Sequence, residues 1–434
     1  MERTYASEIN KAMKSKSVRL CGWVESIRDL GNLKFIILRD ATGTVQITIK
    51  KGDAGKSVID AADKLGREFV ITVEGVVKEN EKAPKSVEIS PAKITTLSES
   101  ATIFPTEIGG AVKSNLDTRL DWRSLDLRNP KNAAVFRIQS KLLEGFREYL
   151  VKNNFMQAFT PCILGSTSEG GSEVFPVVYF DKQAFLRQDP QLHRQLCIIA
   201  GFEKIYDIGP SWRAELSHTV RHLCEHRGVA VELAFINDEY DVMRIEEQLI
   251  DSGINKVAKD SKEDFEILGV EIPKLKLPFP VLEFPKVYDV LAEFGIKLSP
   301  GEEYGREAEE TLGAYAKDKF KSDFLFVNKF PFAKKPFYVM RDGMYARSTD
   351  LIFRGIEQSS GGQREHRYDE LMKNVKEKKL NPSSMEWFTK FFKFGAPPHG
   401  GFCMGVERFT MQLTGVQNVR EATLFPRDPE RLLP

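Results

Sequence analysis

Val18-Arg19-Leu20-Cys21-Gly22-Trp23-Val24 alternates core-type with other residues, and Leu33-Lys34-Phe35-Ile36-Ile37-Leu38-Arg39 follows after Gly31-Asn32. Alternation with a period of two marks strands that turn one face to a core. Asp40-Ala41-Thr42-Gly43 then turns the chain into Thr44-Val45-Gln46-Ile47-Thr48-Ile49. A helix-like piece over residues 58–65 precedes an apolar run at 69–77, and Val87-Glu88-Ile89 and Ala92-Lys93-Ile94 close the series. Five strands with one interposed helix suit a small closed β-barrel of the OB type, expected over residues 1–103. A small barrel without a ligand fits the same pattern.

Outward from the barrel, residues 104–130 carry many charges and turn residues and read as a hinge. Val135, Ile138, Leu142, Phe146 and Leu150 then recur at spacings of three and four, which predicts an amphipathic helix. Asn153-Asn154 ends it, and a strand over residues 155–159 stops at Pro161. Beyond lie irregularly alternating strands and helices, so residues 131–434 are expected to form a second domain of α+β class. Residues 255–320 suggest helices without visible chemistry. The length of 434 residues fits two domains. With 41% hydrophobic and 29% charged residues the composition is globular, and a net charge of +1 announces no global basic field. Five cysteines without a CxxC pair argue against a disulfide framework. No run approaches the roughly 18 apolar residues of a membrane span, and the start lacks a signal-peptide core, so a cytoplasmic protein is expected.

Three clusters carry chemistry. In the first, Trp212-Arg213-Ala214-Glu215 and Arg221-His222-Leu223-Cys224-Glu225 flank a turn, where arginines would fork onto phosphate oxygens. A surface hairpin laced with ion pairs is the commoner explanation of this cluster taken alone; a zinc site at His222, Cys224 and His226 lacks a second ligand pair. In the second, Asp350 and Glu357 are expected at the two ends of one strand, sharing a hard cation such as Mg²⁺, with a solvated strand edge as the blander reading. The third is a glycine-rich strand, Gly400-Gly401-Phe402-Cys403-Met404-Gly405, running into a helix with Arg408 in its first turn. Bare backbone there would admit a base or phosphate. Lys14-Ser15-Lys16-Ser17 has no partner motif, and no GxxxxGK[ST] or GxGxxG pattern follows a strand.

Taken in order, the strand ending at Pro161, Arg213-Ala214-Glu215 with Arg221-His222-Leu223, and the string from Gly401 to Arg408 resemble the three signature motifs of class II aminoacyl-tRNA synthetases. Gln188-Asp189-Pro190-Gln191-Leu192, Ile208 to Glu215, Ser359-Ser360-Gly361-Gly362-Gln363-Arg364-Glu365-His366 and Leu424-Phe425-Pro426-Arg427-Asp428 resemble the aspartate, asparagine and lysine subgroup, in its archaeal aspartate branch. The resemblance covers essentially the whole chain. It implies activation of L-aspartate with ATP and transfer to tRNA(Asp), with Mg²⁺ and a homodimer built on the first motif. Arg213, Glu357 and Arg408 would be catalytic. ATP would be held by Arg213, Ala214, Glu215, Arg221, His222, Leu223, Glu357 and the run Gly405, Val406, Glu407, Arg408, with His226 where many members stack a ring on adenine. Glu357, Ser360 and Asp350 would hold Mg²⁺. Glu169 would receive the aspartate ammonium, Gln191 would assist, and Arg213 and Ser360 would border the substrate. Arg364 would read the side-chain carboxylate. Arg194 stands where aspartate enzymes carry a lysine, and two cations facing one pocket would favour a carboxylate over an amide. In the barrel, Phe35 would stack on an anticodon base beside Arg28 and Gln46. Glu25, where strict enzymes carry Trp, and the loop Lys82-Ala83-Pro84-Lys85 lean toward an enzyme that also charges tRNA(Asn). The runner-up is an asparagine enzyme. A paralogue making asparagine without tRNA is disfavoured by the barrel, and an inactive nucleic-acid binder by the retained Arg213, Glu357 and Arg408.

Overall fold

A computed structural model describes residues 2–109, 112, 114–166, 173–216 and 219–434. It divides into two compact units, Met1–Pro105 and Thr106–Pro434.

In the first unit, β1 (Ser17–Asp29), β2 (Leu33–Asp40), β3 (Gly43–Lys50), β4 (Val70–Glu79) and β5 (Val87–Ser98) close a barrel in the order β1-β2-β3-β5-β4. Closure depends on β1 serving two partners. Its first half, Ser17 to Trp23, lies along β4; its second half, Trp23 to Asp29, lies along β2, with a register shift between Val24 and Ser26. A bulge of this kind bends a strand enough to turn a barrel corner. The inward positions Val18, Leu20, Val24, Ile36, Leu38, Ile47, Ile71, Val73 and Ile89 form the core, joined by Val58 and Ala62 of α1 (Lys56–Asp63). The two closing segments lie on one continuous strand, β5.

In the second unit, α2 (Pro130–Lys152) starts at Asn129, whose side chain caps the Lys131 amide, with Pro130 in the first turn. It buries Val135, Ile138, Leu142, Phe146 and Leu150. The stretch read as a hinge contains two short helices, Leu116–Asp121 and Arg123–Asp126. Arg119 and Arg123 are buried there. Arg119 donates to Asp126 (2.8 Å) and Glu421 (2.7 Å), and Arg123 to Asp126 (2.6 Å) and the carbonyls of Glu421, Thr423 and Leu424. Sequence spacing hid this because Glu421, Thr423 and Leu424 lie some three hundred residues downstream.

The central sheet has eight strands: β6 (Met156–Gln157), β7 (Lys204–Trp212), β8 (Glu225–Ala234), β9 (Val281–Glu283), β10 (Phe324–Asn328), β11 (Ser348–Phe353), β12 (Ile356–Gln363) and β13 (His399–Gly405). Their order is β9-β10-β11-β12-β13-β8-β7-β6, antiparallel except at the two outer pairs. One face is covered by α2 and by α4 (Glu239–Asp260), whose apolar residues merge with Phe324, Phe326, Phe353, Phe402 and Phe409 in one core. Between β6 and β7, α3 (Gln191–Ile199) crosses the sheet end; α5 (Arg306–Phe320) precedes β10, and α6 (Val406–Thr414) continues from β13.

Two expectations change here. Asp350 and Glu357 lie on adjacent strands, β11 and β12, joined by a tight turn in which Arg354 and Gly355 both have positive φ (48° and 79°), the geometry of a two-residue hairpin loop. The glycines of β13 serve packing more than ligand approach. A Cβ on Gly401 would lie 2.0 Å from the Val231 carbonyl oxygen, whereas Gly405, at the strand end, faces open space save for Arg408.

Candidate active site

The ends of β7, β8, β12 and β13 surround a cavity of about 380 Å³. The antiparallel β7–β8 pair carries Arg213 past its end and brings back Arg221, His222 and Leu223 before His226 on β8. Strand β12 contributes Glu357, Ser360 and Gly361, and the β13–α6 junction Gly405, Glu407 and Arg408. Gln188, Asp189, Gln191 and Arg364 form the opposite end.

At the end lined by three guanidiniums, each cation has a carboxylate neighbour that sets its direction. Arg221 donates to Glu309 at 2.8 Å, Arg408 lies 3.9 Å from Glu357 and donates to its carbonyl at 3.0 Å, and Arg213 lies 4.0 Å from Glu215. Glu309 also accepts the Glu357 backbone amide (3.3 Å). Thus α5, from the region that gave no chemistry in the sequence, supplies a carboxylate to the cavity wall. Burial first, then Arg213 and Arg408, push His226 down to about 4, so its imidazole is neutral at pH 7. Burial likewise lowers His222, which lies 3.7 Å from Glu215. Glu407 holds the Arg227 amide (2.9 Å) and is raised by burial.

Between β11 and β12, Asp350 pairs in register with Ser360. Lys335 bridges Asp350 (3.2 Å) and Glu303 (2.9 Å), and its charge is favoured by both despite burial. Asp350 Oδ1 is buried without a hydrogen-bond partner. Its recess first, then the Asp350 charge, push Glu357 up to about 7. Glu357 and the Ser360 hydroxyl offer the cavity only oxygen donors, the kind a hard cation such as Mg²⁺ takes together with phosphate and water, while among the described residues no three His, Cys, Asp or Glu side chains converge as a metal-holding group.

At the other end Arg364 is locked in place. It donates to Glu232 (2.9 Å), to the Gly401 carbonyl (2.9 Å) and to Gln191 (3.2 Å), while Gln191 donates to Glu232 (3.0 Å). Glu232 is fully buried. Four expected residues sit differently from the sequence reading. Arg194 stands outside the cavity lining, 1% exposed, with both terminal guanidinium nitrogens on Asp189 at 2.8 Å. Val406 points into the hydrophobic core. Ala214 contributes a backbone amide that bonds the Glu173 carbonyl (2.8 Å). Asp350 reaches the cavity only through Lys335. Glu169 lies outside the described residues. Asp189, Glu232, Glu309 and Lys335 escaped the sequence reading, since each is defined by a partner distant in the chain or across a turn.

On the barrel, Arg28 pairs in register with Phe35, and Phe35 with Thr48. Phe35 is half-buried and outside the barrel core, with Arg28 exposed beside it. Gln46 donates to Thr48 (3.2 Å) and Glu88 (3.3 Å); Glu88 also accepts from Thr48 (2.6 Å) and Asn80 (2.7 Å). Glu88 is thus a buried anchor under this face that alternation alone did not reveal.

Residues 115–429 match the family described as tRNA synthetases class II (D, K and N), and residues 18–97 the OB-fold nucleic acid binding domain. An aspartate–tRNA(Asp/Asn) ligase from Methanopyrus kandleri is 43% identical over the full length of both chains. An aspartate–tRNA(Asp) ligase from Pyrococcus furiosus is 41% identical over 99% of each. Among solved structures, an asparaginyl-tRNA synthetase from Pyrococcus horikoshii complexed with asparaginyl-adenylate superposes with a TM-score of 0.94 at 32% identity, covering both chains entirely.

Proposed function

This chain belongs to the class II tRNA synthetases of the D, K and N group, and we propose the following roles for its residues. It is an aspartate–tRNA ligase. An aspartate α-carboxylate oxygen attacks the α-phosphorus of ATP and the bond to pyrophosphate breaks; a hydroxyl of the 3′-terminal ribose of tRNA then attacks the acyl carbon of the aspartyl-adenylate, and AMP leaves with the proton passing to solvent or phosphate. The observation that supports this most directly is the convergence of Arg213, Arg221, Arg408 and Arg364 on one cavity beside a neutral imidazole.

Phosphoryl displacement asks for positioning and charge neutralisation more than proton transfer. Arg213 spans the substrate carboxylate and the α-phosphate, and Arg221 and Arg408 neutralise the departing pyrophosphate. Neutral His226 stacks on adenine. Glu357 and Ser360, with Asp350 behind, would hold Mg²⁺, which when bound neutralises and aligns phosphate oxygens. Arg364 reads the side-chain carboxylate; its rigid seat on Glu232 leaves an amide no matching anion to offer, which favours aspartate over asparagine. ATP–pyrophosphate exchange without tRNA tests the reading. Exchange with aspartate but not asparagine or lysine is expected, and exchange with asparagine alone would overturn it.

Arg28, Phe35 and Gln46 form the anticodon-reading face, where a stacked base is worth roughly 1–3 kcal/mol. Charging of both tRNA(Asp) and tRNA(Asn) is proposed from Glu25, which stands where strict enzymes carry Trp, and from the loop Lys82-Ala83-Pro84-Lys85. Glu25 lies 3.5 Å from Arg39, and Lys85 donates to the Ala6 carbonyl (3.1 Å). Aspartylation of purified tRNA(Asn) checks this. A symmetric homodimer is supported by the exposed Val151, Met156, Phe159, Ile163, Val178 and Phe180 around the first motif, and light scattering should give twice the chain mass. Among the described residues no helix is long and apolar enough to cross a membrane, and a cytoplasmic setting suits an enzyme acting on tRNA.

A further inference from the structure

The string Leu424-Phe425-Pro426-Arg427-Asp428 helps to mark the subgroup, but the roles above leave it without a part to play. None of residues 424–431 lines the cavity. Their contacts lead instead to the return limb of the β7–β8 turn, residues 219–224, which brings Arg221 and His222 to the phosphate end.

That limb has little support of its own. The β7–β8 ladder stops at Trp212 and Glu225, and one further bond, from the Arg213 amide to the Cys224 carbonyl (3.0 Å), extends it. Among the described residues, the other backbone bonds that leave the limb both reach the C-terminal segment. The Val419 amide donates to the Val220 carbonyl, and the Cys224 amide donates to the Arg427 carbonyl, each at 2.8 Å. Arg221 and His222 thus lie between two anchors, as does Leu223, which is buried in one cluster with Val419 and Ala422. The segment is itself held. Arg123 donates to the carbonyls of Glu421, Thr423 and Leu424, buried Asp428 lies 3.2 Å from Arg420, and Arg431 donates to Asp121 at 2.7 Å. The amino-acid end rests on other supports, since Arg364 is seated on Glu232 and the Gly401 carbonyl. A loop ordered before its ligand arrives binds more tightly, because the ordering cost is no longer subtracted from the affinity.

Resting on the ligase reading, we propose that the C-terminal segment, residues 419–431, is a positioning clasp that orders the limb carrying Arg221 for the distal phosphates of ATP. ATP affinity then depends on residues 424–431, which never reach the cavity, and aspartate affinity does not. AMP, which has the adenosine and the α-phosphate but no distal phosphates, separates a misplaced Arg221 from a general loosening of the site.

The test is aspartate-dependent ATP–pyrophosphate exchange, with AMP as a competitive inhibitor against ATP. A chain ending at Phe425 loses the Arg427 carbonyl that receives the Cys224 amide. Its ATP KM should rise roughly tenfold or more, while the AMP Ki and the aspartate KM stay within about twofold. Arg431→Ala is measured beside it, because a shortened chain can fail to fold. This variant frees the far end of the clasp from Asp121 and keeps every bond to the limb. It should raise the ATP KM about threefold with the same split from AMP and aspartate. An unchanged ATP KM in either folded variant, or ATP, AMP and aspartate weakening in parallel, would overturn the assignment. Wild-type protein whose exchange needs no aspartate would instead break the ligase reading, and this inference with it.

Discussion

The two units solve recognition with different materials. The barrel presents Phe35, Arg28 and Gln46 on an outer face whose shape is set by backbone ladders and a separate apolar core. One polar reader, Gln46, rests on the buried Glu88, which also accepts from Thr48. The cavity of the second unit is instead held by charges that brace one another: Arg364 with Glu232, Arg194 with Asp189, Arg221 with Glu309, Lys335 with Asp350. Removing one member of a buried pair leaves the other uncompensated, whereas trimming a ring on a preformed strand removes only its own contacts. Damage should therefore spread in the cavity and stay local on the barrel.

The largest effect is expected at Arg364. Arg364→Leu should abolish aspartate activation while ATP binding persists, and should cost roughly 3–5 kcal/mol of stability because Glu232 is left buried without its cation. Exchange kinetics, ATP titration and denaturant unfolding check this; a variant with a normal aspartate KM and unchanged stability would break the contrast. Phe35→Ala should come next, lowering kcat/KM for tRNA by a factor equivalent to roughly 1–3 kcal/mol with adenylate formation untouched. An equal loss in both steps would mean that barrel damage also spreads.

The smallest expected effect uses pH. All six histidines lie beyond residue 190. His399 is wholly buried, and burial pushes it down to about 4 from 6.5. A depressed pKa means that the unfolded chain binds protons first, so this contribution to stability is complete above about pH 6.5 and is lost as pH falls toward 4. About 2 kcal/mol should disappear between pH 7.5 and 5 from His399 alone, read as the difference between the wild-type second unit and a His399→Gln variant, because Glu246 and Glu357, raised to about 8 and about 7 in the same unit, shift stability the opposite way. Hydrogen exchange at the two pH values separates the units, and equal acid loosening of both would blunt the comparison.

The same contrast explains what the amino-acid sequence discloses. Barrel strands and α2 are legible because their signal is local: alternation in Val18 to Val24, and spacings of three and four from Val135 to Leu150. The convergence of Arg213, Arg221, Glu357 and Arg408 is legible through their motifs. Cross-braces are not, since Arg364 finds Glu232 across 132 residues and Arg221 finds Glu309 across 88. Arg194 is misread as facing the substrate for a subtler reason. Its partner is only five residues away, but across Pro190, where no helical spacing announces the pair. The glycines of β13 mislead because a bare strand serves a ligand and a tightly packed neighbour equally well, and only the Val231 carbonyl beside Gly401 decides between them.

Arg119 and Arg123 set an order on the making of the molecule. Their acceptors at residues 421–424 leave the ribosome some three hundred residues after the arginines themselves. Throughout that interval the emerging polypeptide carries two guanidiniums whose eventual burial site does not yet exist. The barrel, closed by contacts within its first hundred residues, can fold during synthesis. The catalytic unit can complete these buried contacts only after residue 424 has emerged, so activity waits on a segment some three hundred residues beyond the arginines it pairs with.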